Sequence, residues 1–191
     1  MTTLDVATLA FAQITTNAKG AKTLPALCKN GDPVTWQIAD LMECPFDASA
    51  YNDVDNTANR VTLCLTPSSD VCDAMMALDE WCVQTLSQNP TALLGVQLTP
   101  EQVKERYVSC LKTSEKGYTT LRTKMNRAGR YALQAYTPTK EKRSHPESWR
   151  GCYIQPQLTF KGLYIMGREF GPVLDLTAVI VHEAKCDECP F

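Results

Sequence analysis

The chain sets its two helical patterns side by side between strand-like runs, and this order limits the folds open to it. Arg60–Leu65 alternates, with Val61, Leu63 and Leu65 on one side and Thr62 and Cys64 on the other, the period of a half-buried strand. The period then changes. After Thr66-Pro67, the residues Val71, Met75, Leu78, Cys82 and Leu86 fall at helical spacing and form one apolar stripe. Ser68 or Ser69 can cap this helix, and Asp70 and Asp73 sit in its first turn, where the helix dipole favours anions. Asn89-Pro90 ends it. A second helix opens at Thr99-Pro100-Glu101-Gln102, a capping box with proline at the first helical position. Val103, Tyr107 and Cys110 or Leu111 form its inner face, and Gly117 ends the helical region.

Strand-like runs flank this pair. They are Ala7–Thr16, Val34–Leu41, Leu121–Met125, Tyr131–Tyr136, Tyr153–Met166 (Leu158, Phe160, Leu163 and Ile165 inward) and Val173–His182. Turn signals stand at Asn17–Gly20, Asn30–Pro33, Asn126–Gly129 and Gly167–Pro172, the third joining its neighbours as a hairpin. Cys44–Asn59 reads as a loop, and Pro138–Arg150 as a polar, basic, mobile one. Regular alternation of strands and helices is absent, which excludes a doubly wound sheet. A β-rich α+β fold, or a small barrel with helical insertions, remains.

A length of 191 residues suits one domain. The first residues lack the basic-then-apolar order of a secretion signal, and Val173–Val181 is too short to span a bilayer and is broken by Asp175. The expectation is an intracellular protein with no membrane association. In that setting the nine cysteines are reduced and pack as small hydrophobes; a disulfide framework is the weaker alternative.

Residue patterns that carry chemistry are missing. Neither His145 nor His182 lies in a metal-binding pattern, and Cys186-x-x-Cys189 has no second pair to complete a zinc site. There is no glycine-rich phosphate loop and no nucleophile elbow, and the carboxylates are scattered. We expect no catalytic residue, no metal and no cofactor.

The charge distribution is informative instead. Residues 1–100 carry a net −7, residues 101–150 a net +7 and residues 151–191 a net −2. The basic block is interleaved with aromatic rings, the mixture that single-stranded nucleic acid asks for: cations track phosphates, and flat rings stack on unpaired bases. Lys112, Lys116, Arg122, Lys124, Arg127 and Arg130 are the expected phosphate contacts. Tyr118, Tyr136, Trp149 and Tyr153 are the expected stacking faces, and Lys140, Lys142, Arg143 and Arg150 close over the strand from the basic loop. Core positions are the alternative for Tyr107, Tyr131 and Phe160. DNA and RNA both present phosphates and base faces, so the pattern does not separate them. The last residues, Asp187, Glu188, Cys189, Pro190 and Phe191, make a compact acidic docking peptide.

That last segment resembles the C-terminal tip of bacterial single-stranded DNA-binding proteins, which end Asp-Asp-Ile-Pro-Phe; Cys189 stands where they have Ile. The long Gly/Pro/Gln-rich linker of those proteins is missing. The body resembles the replication-type single-stranded DNA-binding proteins of phages and large DNA viruses. The likeness lies in Tyr107–Tyr118, the basic strand Leu121–Met125, Trp149-Arg150-Gly151, Gln155–Tyr164, and the glycine turn and apolar strand that follow. This resemblance implies an OB-like antiparallel barrel with helical insertions over 1–182, and a tail over 183–191 that recruits replication or repair proteins. It implies non-catalytic coating of single strands in DNA replication, recombination or repair, and a phage or viral origin is compatible with it. The rival is a structural or virion-type interaction protein whose basic face meets an acidic partner. Self-association is open under either reading.

Overall fold

The computed structural model describes residues 4–18, 20–50 and 57–182. Asp187, Glu188, Pro190 and Phe191 lie outside the described residues. A 3₁₀ turn at Val6–Thr8 leads into β1 (Leu9–Phe11), β2 (Thr15–Thr16), β3 (Lys22–Cys28), β4 (Val34–Gln37), β5 (Met42–Glu43) and β6 (Arg60–Leu65). Helices α1 (Ser69–Gln88), α2 (Pro90–Leu94) and α3 (Pro100–Arg106) follow, then β7 (Leu111–Thr113), β8 (Thr119–Asn126), β9 (Gln134–Tyr136), β10 (Lys142–Arg143), β11 (Tyr153–Met166) and β12 (Glu169–His182).

The fold is organised by one long hairpin. β11 and β12 pair antiparallel along 14 residues each. Only Gly167-Arg168 joins them, with Gly167 at φ 61°, a conformation that suits a tight hairpin turn. Two register shifts interrupt the pairing: Thr177 is the extra residue of β12 beside Gln157/Leu158, and Lys161 is the extra residue of β11 between Phe160 and Gly162. Such bulges bend a strand and strengthen its twist.

The other strands dock on the two free edges. β5, β4 and β3 line up in turn along β11, at Tyr153–Ile154, Gln157–Phe160 and Gly162–Ile165. β9 and β8 run parallel to β12, at Ala178–Ile180 and Asp175. β8 then pairs antiparallel with β6 over six residues and with β7. Isolated bridges Glu43–Thr66 and Ser49–Thr62 bring the chain beyond β5 back to β6, which makes the curled sheet an OB-like barrel. Val61, Leu63, Leu65, Leu121, Ile154, Leu158, Phe160 and Leu174 fill its interior.

The helices form where the sequence placed them, with one addition. α1 is capped by Ser68, which accepts from Val71 N–H, and it buries Val71, Met75, Leu78, Cys82 and Leu86. Asn89 ends α1 and at once caps α2, a short helix not anticipated from the sequence. α3 carries both halves of the Thr99/Gln102 capping box. It stops at Arg106 rather than near Gly117. Val108 N–H donates to Phe170 C=O at 2.9 Å, so the chain leaves the helix to pair with β12. Tyr107 Oη and Ser109 Oγ both donate to the Asp79 carboxylate, at 2.6 and 2.5 Å, and fasten this segment to α1. Burial pushes the Asp79 pKa up, while these two bonds pull it back.

Four further expectations are corrected. β8 and β9 do not form a hairpin: the turn after Asn126 sends β9 along β12, parallel to it, so both short strands share one longer neighbour. The first strand-like run divides into β1 and β2, each on β3. The final turn is two residues, and Glu169–Pro172 belongs to β12. β3 itself was not read, because Pro25 interrupts its pattern. Burial pushes the Cys44 and Cys110 thiols up to about 12, so these two serve as apolar packing.

β3 lies so close to β11 that only glycine fits at 162. Its φ is 108°, and a Cβ there would stand 2.0 Å from Leu24 O and 2.7 Å from Ala26 N, both backbone atoms. Replacing Gly162 by Ala should therefore destabilise the fold by about 3 kcal/mol or more. A urea unfolding midpoint equal to that of the parent would refute the close-contact account.

Candidate nucleic-acid interface

Alternation along the strands decides what the outer face of the barrel presents. Where Val61, Leu63, Met125, Leu174 and Leu176 point inward, their neighbours point out. The strand register arranges those neighbours in rows across the sheet. One row runs Thr62, Lys124, Asp175, Thr159, Thr35. A second runs Gln134, Ala178, Gln157, Gln37, and a third Lys142, Tyr136, Ile180, Gln155. Arg122 lies opposite Cys64, and Lys112 opposite Thr120, to extend the face toward β7.

Two adjoining clefts run over these rows. One, of about 580 Å³, is lined by Arg60, Lys124, Asn126, Arg130, Tyr131, Gln134, Lys161, Asp175 and Thr177. The other, of about 380 Å³, is lined by Gln37, Tyr136, Lys140, Gln155, Gln157, Ala178 and Ile180. Thr177 and Ala178 are consecutive, so the two form one groove. Its β8–β10 side is cationic. Its β11–β4 side is built from the amides of Gln37, Gln155 and Gln157, groups that can donate and accept.

Electrostatics favour an anion at the centre of the cationic side. Lys124 Nζ donates to Thr62 Oγ1 at 2.7 Å and is half-buried. Its pKa is lowered, first by burial and then by Arg122 and Arg60. An ammonium held among like charges gains from any phosphate placed beside it. Asp175 is the one carboxylate lining the groove among the described residues, and Arg60 already engages it, Nη2 to Oδ1 at 2.5 Å.

The expected contact residues separate into two groups. Lys112, Arg122, Lys124, Arg130, Tyr136, Lys140 and Lys142 stand on the face or its groove. Tyr153 is 42% exposed and continues the Gln155 and Gln157 side of β11. Lys116 and Tyr118 sit on the tip of the β7–β8 hairpin, with the Tyr118 ring 72% exposed. The second group is occupied with the fold itself. The Arg127 guanidinium donates to Ala48 C=O and Ala58 C=O. Arg143 Nε donates to Ser144 C=O.

Trp149 is the clearest correction, being 5% exposed and offering no stacking face. Its N–H, the Arg150 N–H and Ser148 Oγ all donate to Asp47 Oδ1, at 2.7, 3.2 and 2.8 Å. His145 packs against its ring and bonds Leu133 C=O through Nε2. With β10 also paired to β9, segment 138–150 is anchored at both ends rather than loose. Tyr131, by contrast, is 73% exposed and lies under the Arg130 guanidinium, 5.6 Å from ring centre. The expected contact residues also left out Arg60, Lys161 and the four glutamines. The glutamines were legible in part, since Gln155 and Gln157 alternate with inward residues in β11. Among the described residues no group of acidic, histidine or cysteine side chains is placed to hold a metal.

No family model matches the sequence, and no curated protein matches it. Solved structures do resemble the fold. The crystal structure of gp2.5, a single-stranded DNA-binding protein encoded by bacteriophage T7, aligns with a TM-score of 0.51 at 14% identity, over 78% of this chain and 86% of that one. A C-terminally truncated single-stranded DNA-binding protein from bacteriophage Enc34 aligns with a TM-score of 0.47 at 12% identity, over 90% and 92%. At such identity the likeness to the T7 protein concerns architecture: both chains carry the OB-like barrel with helical insertions.

The Asp47 clasp has a pH signature. Its pKa is lowered, first by the Ser148 hydroxyl and then by the Arg150 and Trp149 amides. A carboxylate with a depressed folded-state pKa stabilises above its unfolded value and loses that contribution as pH falls through the folded one. Asp47→Ala should cost about 1 kcal/mol at neutral pH, discounted for exposure, and little in acid. Hydrogen exchange at the Trp149 and Arg150 amides should quicken in parallel, and unchanged exchange would refute the clasp.

Proposed function

We propose that this chain binds single-stranded DNA along the outer groove of its barrel and performs no chemistry on it. The observation that carries the reading is the division of that groove into a cationic side and a neutral amide side, with tyrosines between. Phosphates track Lys112, Arg122, Lys124, Arg60 and Lys142. Bases turn toward Tyr136, Tyr131, Tyr153 and the glutamines, which can bond any base edge and so confer little sequence preference. A duplex has already stacked and paired its bases and would use only the cationic side. The single strand satisfies both.

On this reading residues 1–182 act as one binding domain that coats single strands in replication, recombination or repair, in an intracellular setting that includes a phage-infected cell. Contacts with replication or repair proteins fall to Asp187, Glu188, Pro190 and Phe191. No helix among the described residues is long and apolar enough to cross a membrane.

Fluorescence anisotropy with labelled oligo-dT and a duplex of equal length, at two salt concentrations, tests the assignment. We expect preference for the single strand, with log affinity falling by about 0.7 per phosphate for each tenfold rise in salt. Arg122→Ala with Lys124→Ala should weaken oligo-dT binding by about tenfold or more and flatten that slope. Tyr136→Ala should cost about 1–3 kcal/mol if the ring stacks. Trp149→Phe should leave affinity unchanged. Absence of binding at low salt would favour the interaction-protein alternative.

Proton linkage gives an independent check. A phosphate beside Lys124 raises its lowered pKa, so the complex holds a proton that the free protein releases first. Affinity should be full below the free-state Lys124 pKa and decline as pH rises toward the bound-state value. The Lys124→Arg variant should lose that decline; a pH profile identical in parent and variant would remove Lys124 from the phosphate contacts.

A further inference from the structure

A separate cavity of about 300 Å³ opens at the turn end of the β11–β12 hairpin, between it, the α2–α3 connection and the start of β3. It shares no lining residue with the groove. Leu94, Leu98, Ile165 and Phe170 make its apolar wall, and Val96, 48% exposed, stands beside them. Lys22, Arg106 and Arg168 line it too, and no carboxylate does so among the described residues. None of these three cations forms an ion pair with another described residue. Like charges gathered around an apolar hollow repel one another, and an anion with an apolar anchor relieves the repulsion while filling the space. The volume is at the low end for ligand pockets, about 300–1,000 Å³, and suits one bulky side chain. Branched aliphatic groups dominate the wall, a poor surface for stacking a base.

We propose that this cavity docks a short acidic peptide of a partner protein, one bulky apolar side chain entering between Leu98 and Phe170 while neighbouring carboxylates meet Lys22, Arg106 and Arg168. Charge complementarity and the unpaired state of the cations select this occupant. The site is independent of the DNA groove, so each can fail without the other.

The test is anisotropy of the whole chain with three labelled peptides, Asp-Glu-Asp-Phe, Asp-Glu-Asp-Ala and Asn-Gln-Asn-Phe. We expect saturable, salt-sensitive binding of the first and losses of at least about tenfold for the other two. Arg106→Gln with Arg168→Gln should weaken the first peptide by a similar factor, leaving oligo-dT affinity intact, which also reports correct folding. Lys22→Gln serves as a second variant should the double one fail to fold. No saturable binding up to about 1 mM, the weak limit of specific association, would overturn the proposal. Binding insensitive to these substitutions would do the same. Displacement by oligo-dT, with a matching loss of DNA affinity in the variants, would overturn it too and make the cavity a second nucleic-acid contact.

Discussion

Backbone pairing between β11 and β12 is the constraint on which the rest depends. A buried strand must satisfy its N–H and C=O groups on both edges. β11 does so with β12 on one side and with β5, β4 and β3 in succession on the other. β4 and β5 are four and two residues long, and β11 is their only ladder partner among the described residues. They are strands because the hairpin presents a finished edge. The bulges at Thr177 and Lys161 then coil that edge until Glu43 meets Thr66. A straight hairpin would give an open sheet with an exposed interior; the coil turns it into a barrel.

The groove is a by-product of the same coil. Period-two alternation sends one set of side chains to the core and the other to the surface, and strand register decides which outward residues become neighbours. Arg60, Arg122, Lys124, Lys142 and Lys161 come from four strands and converge only because those strands lie side by side. Asp175 tempers this concentration of charge. The Arg60 side of this pair is 44% exposed and open to an arriving phosphate, while the Asp175 side chain is only 14% exposed. Asp175 thus offsets part of the positive field at this end of the groove.

What the sequence disclosed followed the reach of each signal. α1 was legible in its cap, its end and all five buried residues, because a helix bonds to itself and its pattern is local. β6 was legible to the residue for the same reason of unbroken alternation. β3 was not, since Pro25 reads as a breaker; it is tolerated where Gly162 admits the close approach of β11, 137 residues later. The supposed β8–β9 hairpin failed because a turn signal says that the chain bends, not which strand it will meet. Trp149 was misjudged by the company it keeps: the loop around it is basic, but Asp47, about a hundred residues earlier, supplies the clasp that buries it. Arg60 was missed because it lies far from the basic block that it joins in space. The cation-rich character of the candidate site was therefore readable, and its membership only in part.

The two candidate surfaces occupy one rigid element. Lys161 and Asp175 line the groove, while Ile165 and Phe170 line the cavity, all on β11 or β12. Coupling between sites needs an element with two arrangements that each ligand prefers differently. The hairpin offers none between these points: Phe160, Leu163 and Leu174 are fully packed, and Gly162 is wedged against β3 with no room to shift. Occupation of one surface should thus leave the other free to act. A protein built this way can hold a strand in its groove and a partner at its hairpin turn together, and the shared hairpin fixes the geometry between them.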